Sequence, residues 1–186
     1  MPERRGRSGV FPECPESEAG GSRSAQLRGE CQTRYFAILG YSDESVIHVP
    51  GGLPGFENER EFLLIDRPSH RPLVFFQSLH TPHLCFLALP VLSVDGAYRL
   101  AMSPEDLAQL GLDTSRQPKV GGEVMCLAFI AAGGKRMLSA NLLSPIVINL
   151  KTRVAVQAIQ TGCHYSHRHP LLVEEPEADE PEPVCS

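Results

Sequence analysis

Between the two ends of the chain, short apolar runs alternate with clusters of Pro, Gly, Asp, Ser and His. Runs of that length, fenced by turn formers, predict strands and not helices. TRYFAIL and SVIHV flank Tyr41-Ser42-Asp43-Glu44, a tight-turn sequence, and predict a first hairpin. EFLLI, PLVFFQSL and LCFLAL follow. In AYRLAM, Tyr98, Leu100 and Met102 share one face and Arg99 takes the other. EVMCLAFIAA reads as a long strand, and MLSANLL and IVINL as shorter ones. RVAVQAI closes the set, with Val154, Val156 and Ala158 alternating against Arg153, Ala155 and Gln157.

One short helix interrupts this pattern, near residues 103–111. Ser103 is an N-cap whose hydroxyl can accept a free first-turn amide, and Pro104 suits the first helical position. Glu105 and Asp106 put negative charge at the positive end of the helix dipole. Leu107 and Leu110 make one apolar stripe, and Gly111 supplies a left-handed stop. About ten strands and one helix, without strand–helix alternation, argue against a doubly wound α/β fold. The predicted class is mainly β: a small β-barrel-like domain, closed or nearly so, or two small sheets sharing a core.

Composition sets the domain limits. Residues 1–32 are rich in Gly, Ser, Pro, Glu and Arg and have almost no aromatic or branched residues, so they predict a disordered extension. Residues 33–172 form the predicted domain, and 173–186 a solvated acidic tail. The formal charge of -5 sits at the ends. Residues 35–172 carry eleven acids and eleven bases, whereas the last fourteen residues hold six acids and no base. A neutral body lacks the basic face by which nucleic-acid binders displace counterions. There is no apolar signal core near the N-terminus and no run of the ~20 apolar residues a membrane span needs, which predicts a cytoplasmic protein. The six cysteines show no CxxC spacing; Cys85 and Cys126 lie inside apolar runs, where a thiol behaves as a small hydrophobe.

Four segments invite a chemical reading. Cys163, His164, His167 and His169 offer metal-ligand types, with His80 and His83 the nearest second group, but structural zinc usually draws ligands from two separated segments. The alternative is a polar loop whose His169-Pro170 pair fixes an extended exit. Ser166 lies in no G-x-S-x-G elbow. The glycine pairs match no phosphate-binding loop, and Gly133-Gly134 suits a hairpin. In GGLPGFE, Pro54-Gly55 fits the centre of a type II turn. Phe56 then either pins that turn to the core or leaves it as a rigid corner for a partner. SANLLSPIVINLKTR embeds Asn141 and Asn149 in apolar runs, where each amide needs partners. Pro145 belongs at a strand start or on an edge strand, where another chain could add on.

Taken in order, TRYF, SVIHVPGGLPGFE, FFQSL, TPHLCFLAL, SPEDLAQLGL, SANLLSPIVINLKTR and YSHRHPL resemble the FliW family of flagellar assembly factors. Val49 and Ser139 depart from that family's usual Phe and Thr, and Cys163, His164 and His167 are not family features. The resemblance implies a small β-barrel-like fold with no catalysis and no cofactor. It implies two alternative protein partners: flagellin before export, and the carbon storage regulator CsrA, an RNA-binding translational repressor. Release from flagellin would free the factor to bind CsrA and antagonise its control of flagellin mRNA, without direct nucleic-acid or membrane contact. The motif positions Pro54, Gly55, Phe56, Glu57, Asn141, Pro145, Asn149, Tyr165, Arg168 and His169 are the candidate partner contacts. A small RNA-binding β-barrel and a metal-dependent hydrolase built on residues 164–169 are the alternatives.

Overall fold

The structure is a computed structural model and describes residues 27–133 and 137–171. Eleven strands and two short α-helices are present among them: β1 (Gly29–Gln32), β2 (Ile38–Tyr41), β3 (Val46–His48), β4 (Glu61–Asp66), β5 (Val74–Ser78), β6 (Cys85–Pro90), α1 (Val91–Val94), α2 (Pro104–Gln109), β7 (Val124–Ala132), β8 (Leu138–Ala140), β9 (Ile146–Asn149), β10 (Ala155–Gln157) and β11 (His169–Leu171). The fold is mainly β, as the pattern predicts.

One antiparallel sheet runs β10-β9-β7-β6-β5-β4-β3, and β8 leaves this path to pair with β7 and β11. The ladders do not close into a barrel. The two ends of the path meet at one parallel bridge, His48 to Val154, with the His48 amide donating to the Arg153 carbonyl at 2.9 Å.

Three apolar clusters explain the sequence pattern. Inside the curve of the sheet lie Ile47, Phe62, Val74, Phe76, Ala88, Leu127, Ile146, Ile148 and Ala155. A second cluster takes Cys126 and Ala128 from β7, Val147 from β9 and Val156 from β10, covered by Tyr98, Leu100, Met102, Leu107 and Leu110. Strands β7, β9 and β10 therefore bury both faces. This accounts for near-continuous apolar runs such as IVIN, where alternation would mark a half-exposed strand. A third cluster, Cys31, Val46, Leu63 and Ile65, sits under the β1–β2 hairpin.

Several local expectations change. The first hairpin is β1–β2, with Gly29 opposite Tyr41, and β3 pairs with β4. Its turn carries no Gly or Pro. The Thr33 hydroxyl accepts from the Phe36 amide at 2.7 Å and donates to the Ala37 carbonyl, while Ala37 takes a left-handed φ of 57°. The residues expected to turn, Tyr41 to Glu44, run from the last residue of β2 into a 3-10 turn over Asp43–Ser45 that redirects the chain between two sheets. Strand β1 falls within the segment expected to lack structure, because Cys31 is buried beneath its hairpin. The disorder expected for residues 1–26 and for the acidic tail falls outside the described residues. The Gly133 amide donates to the Met137 carbonyl at 2.7 Å below the β7–β8 connection, whose tip at 134–136 is also outside them.

The helix forms as predicted. Ser103 accepts from the Asp106 amide at 3.0 Å, and Gly111 has a φ of 67°. Leu107 and Leu110 are buried. AYRLAM buries Tyr98, Leu100 and Met102 as expected, yet it joins no ladder.

Candidate functional site

The Leu53–Phe56 turn is built as its sequence requires. The Phe56 amide donates to the Leu53 carbonyl at 2.7 Å, and Gly55 adopts a φ of 81°. Gly52, at 68°, packs so closely that a Cβ there would lie 2.5 Å from the Glu57 carbonyl oxygen. The Gly55 amide donates to Glu57 Oε1 at 2.8 Å, and that bond holds the carboxyl below the usual glutamate range. The turn is thus rigid from its own backbone.

Its anchor is not Phe56. Leu53 is buried and holds the corner, whereas Phe56 is 40% exposed and meets Phe86 edge-on, with ring centroids 5.2 Å apart. Phe86 stacks on Phe129 at 4.8 Å, Phe129 touches Phe76 at 5.9 Å, and Phe76 stacks on Phe62 at 4.4 Å. A ladder of aromatic rings therefore runs from the core to the surface and ends at Phe56. Beside it, Ile159 is 62% exposed. Phe56, Phe86, Phe129 and Ile159, with Leu53, Pro54, Ser144 and Gln157, line a largely apolar hollow of about 330 Å³.

The two asparagines are structural supports. Asn141 Oδ1 accepts from the Ser144 amide at 3.0 Å, and the Ser144 carbonyl accepts from Gln157 Nε2 at 3.1 Å. That chain braces one wall of the hollow. Buried Asn149 donates to the Leu110 carbonyl at 2.8 Å and accepts from the Lys151 amide at 2.9 Å, tying α2 to the β9–β10 turn. Pro145 is buried and precedes β9, which lies between β7 and β10. It starts a strand, one of the two placements the sequence allows, and that strand is interior, so the alternative of an edge does not hold there.

Tyr165 stacks on Tyr98 at 4.4 Å, and its hydroxyl accepts from the Arg99 amide at 2.7 Å. The Tyr98 hydroxyl donates to the Leu142 carbonyl at 2.9 Å. Burial pushes the Tyr98 phenol well up from its ordinary value. His169 opens β11, paired with Ala140, and Arg168 is exposed beside it. The candidate residues therefore divide. Pro54 and Phe56 line the hollow, and Gly55 and Glu57 belong to the same corner; Asn141, Tyr165, Arg168 and His169 gather around β8 and β11; Asn149 stands apart beneath α2. Phe86, Phe129 and Ile159 were missed. A signal existed for Ile159: continuing the RVAVQAI alternation puts it on the face of Arg153 and Gln157, where an apolar side chain is out of place.

Among the described residues, no three His, Cys, Asp or Glu side chains converge as a metal site. His164 leans on the Tyr165 ring at 4.9 Å, the Cys163 thiol points to the Gln160 carbonyl, and the Ser166 hydroxyl accepts from the Arg168 amide. Among those residues, no helix is long and apolar enough to cross a membrane.

The geometry is that of a mainly-β scaffold with a rigid exposed corner beside a surface-open, largely apolar hollow, the kind of exposed apolar surface that marks an interaction site. Comparison with known proteins sharpens the class. The FliW protein family model matches residues 30–171. The flagellar assembly factor FliW of Heliobacterium modesticaldum is 31% identical over 140 residues, covering 75% of this chain and 88% of that protein. The FliW of Pseudothermotoga lettingae is 36% identical over 130 residues, covering 68% and 78% respectively. A crystal structure of the flagellar assembly factor FliW superposes with a TM-score of 0.67 at 26% identity, covering 80% of this chain and all of that one. The chain belongs to the FliW family: it is a flagellar assembly factor, a non-catalytic protein.

Proposed function

We propose that this flagellar assembly factor works in the cytoplasm by exchanging two protein partners, flagellin and the translational regulator CsrA. Bound to flagellin before export, it is unavailable to CsrA. Freed when flagellin leaves, it binds CsrA and relieves control of flagellin mRNA. The observation that carries this reading is the family match across residues 30–171, essentially the whole described domain. The equal numbers of acids and bases across residues 35–172 support a factor that touches the repressor and not the RNA. Pro54, Gly55, Phe56 and Glu57 are the proposed contact residues; Asn141 and Asn149 serve by holding the surface in shape.

Titration calorimetry with flagellin and with CsrA from the same cell tests the proposal. Saturable, stoichiometric binding to each is expected, with flagellin displacing CsrA. A folded protein that binds neither would sink it. A chain trimmed to residues 27–171 keeps β1 and is expected to retain both interactions.

A further inference from the structure

A second hollow, of about 390 Å³, adjoins the aromatic one and shares Leu53, Pro54 and Gln157 with it. Its outer side carries Glu57, Asp106 and Gln109. The two linings contain two carboxylates and no basic side chain. Glu57 spends one oxygen on the Gly55 amide, and the Asp106 carboxylate makes no ion pair or hydrogen bond among the described residues. Arg60 stands nearby, its Nε on the Glu57 carbonyl at 3.5 Å, outside both linings. Apolar side chains exposed side by side mark interaction surfaces, and adjoining carboxylates without an ion pair say which charge belongs on the partner.

We propose that the two hollows form one bipartite groove for a segment of a partner protein carrying large apolar side chains and, next to them, a lysine or arginine. The apolar side chains rest on Phe56, Phe86 and Ile159, and the cation sits between Glu57 and Asp106. The inference rests on the protein-binding reading above and assigns it a surface. Ile159 is well exposed, so substitution there spares the core.

The test measures flagellin and CsrA binding by Ile159→Glu, Asp106→Lys and Asp106→Asn. Leu92→Glu serves as control, because Leu92 is 44% exposed on α1 and outside both linings. Ile159→Glu and Asp106→Lys are each expected to weaken at least one partner about tenfold or more. Asp106→Asn should weaken it about threefold and flatten its salt dependence. Leu92→Glu should bind as wild type. Wild-type affinity in all variants overturns the groove and leaves the partner-switching proposal standing. So does an Ile159→Glu effect confined to self-association in sedimentation, since the occupant is then a second copy of the chain. If the wild type binds neither protein, partner switching fails by itself. The groove then faces paired synthetic leucine-rich peptides, one with lysines and one with glutamates. Preference for the lysine peptide, lost in Ile159→Glu, supports it; no preference overturns it.

Discussion

Gly52 and Gly55 lie in the same turn with φ of the same sign, yet they are constrained differently. At Gly55 a Cβ would meet nothing, so Gly55→Ala is expected to cost only the left-handed strain, roughly 1–2 kcal/mol. At Gly52 the same methyl would run into backbone at Glu57, which cannot rotate away. Gly52→Ala should therefore cost more, about 3 kcal/mol or above, read by urea denaturation. Equal losses at the two positions would show that the turn yields. Burial pushes the thiol of core residue Cys126 up to about 12 and that of half-buried Cys85 up to about 11, so both stay protonated and poorly nucleophilic near neutral pH.

At the scale of elements, the unladdered segment 98–102 shows how a strand-like run can be held without a strand. Its amides are taken by side chains: Arg99 by the Tyr165 hydroxyl, Ala101 by Gln160 Oε1 at 2.7 Å, and Met102 by Gln117 Oε1 at 2.8 Å. The alternation of Tyr98, Leu100 and Met102 told correctly which face is buried. Only the packing around Gln160 and Tyr165, far along the chain, decided what pairs with the backbone. Helix α2 was readable to its caps because Ser103, Pro104 and Gly111 act locally. The buried end of α2 is tied to Asn149, 39 residues beyond Leu110. Asn149→Ala would leave the Leu110 carbonyl and the Lys151 amide without that partner. The expected loss is about 2–4 kcal/mol, with faster hydrogen exchange at Leu107 and Leu110. Unchanged exchange there would mean α2 is held by its leucines alone.

Across the whole molecule, Glu59 links the loop before β4 to the β5–β6 connection. Partial burial opposes its charge, but hydrogen bonds from the Ser78 and Thr81 hydroxyls, with His80 and His83 close by, hold its carboxyl below the usual range. A lowered folded value means that Glu59 adds stability above the ordinary glutamate value of 4.5. That stability is lost as pH falls through the lower folded value. Glu59→Gln should accordingly be less stable than wild type at pH 7, and the gap should narrow on acidification. Parallel curves would exclude Glu59 as a source of acid sensitivity.

The groove surface was only partly readable, for a reason of scale. Phe56, Phe86, Phe129 and Ile159 come from four separate segments; Phe86 and Phe129 sit in apolar stretches that look like core, and Phe56 follows a Pro-Gly turn that would equally pin it inward. Exposure is a property of what fails to cover a side chain, so Leu53 and Phe56 could exchange their expected roles without any change in local pattern. The β1–β2 hairpin was hidden similarly, since its turn relies on one threonine hydroxyl and a left-handed alanine in place of Gly or Pro. By itself, the sequence determined the strand-rich class, the capped helix, the Pro-Gly corner and the family, because these rest on short-range periodicity, capping and ordered motifs. Tertiary structure alone decided that β9 is interior, that the sheet ends meet at a single bridge, and that an aromatic ladder opens at the surface. Those outcomes depend on which faces meet, and residues distant in sequence settle that through burial.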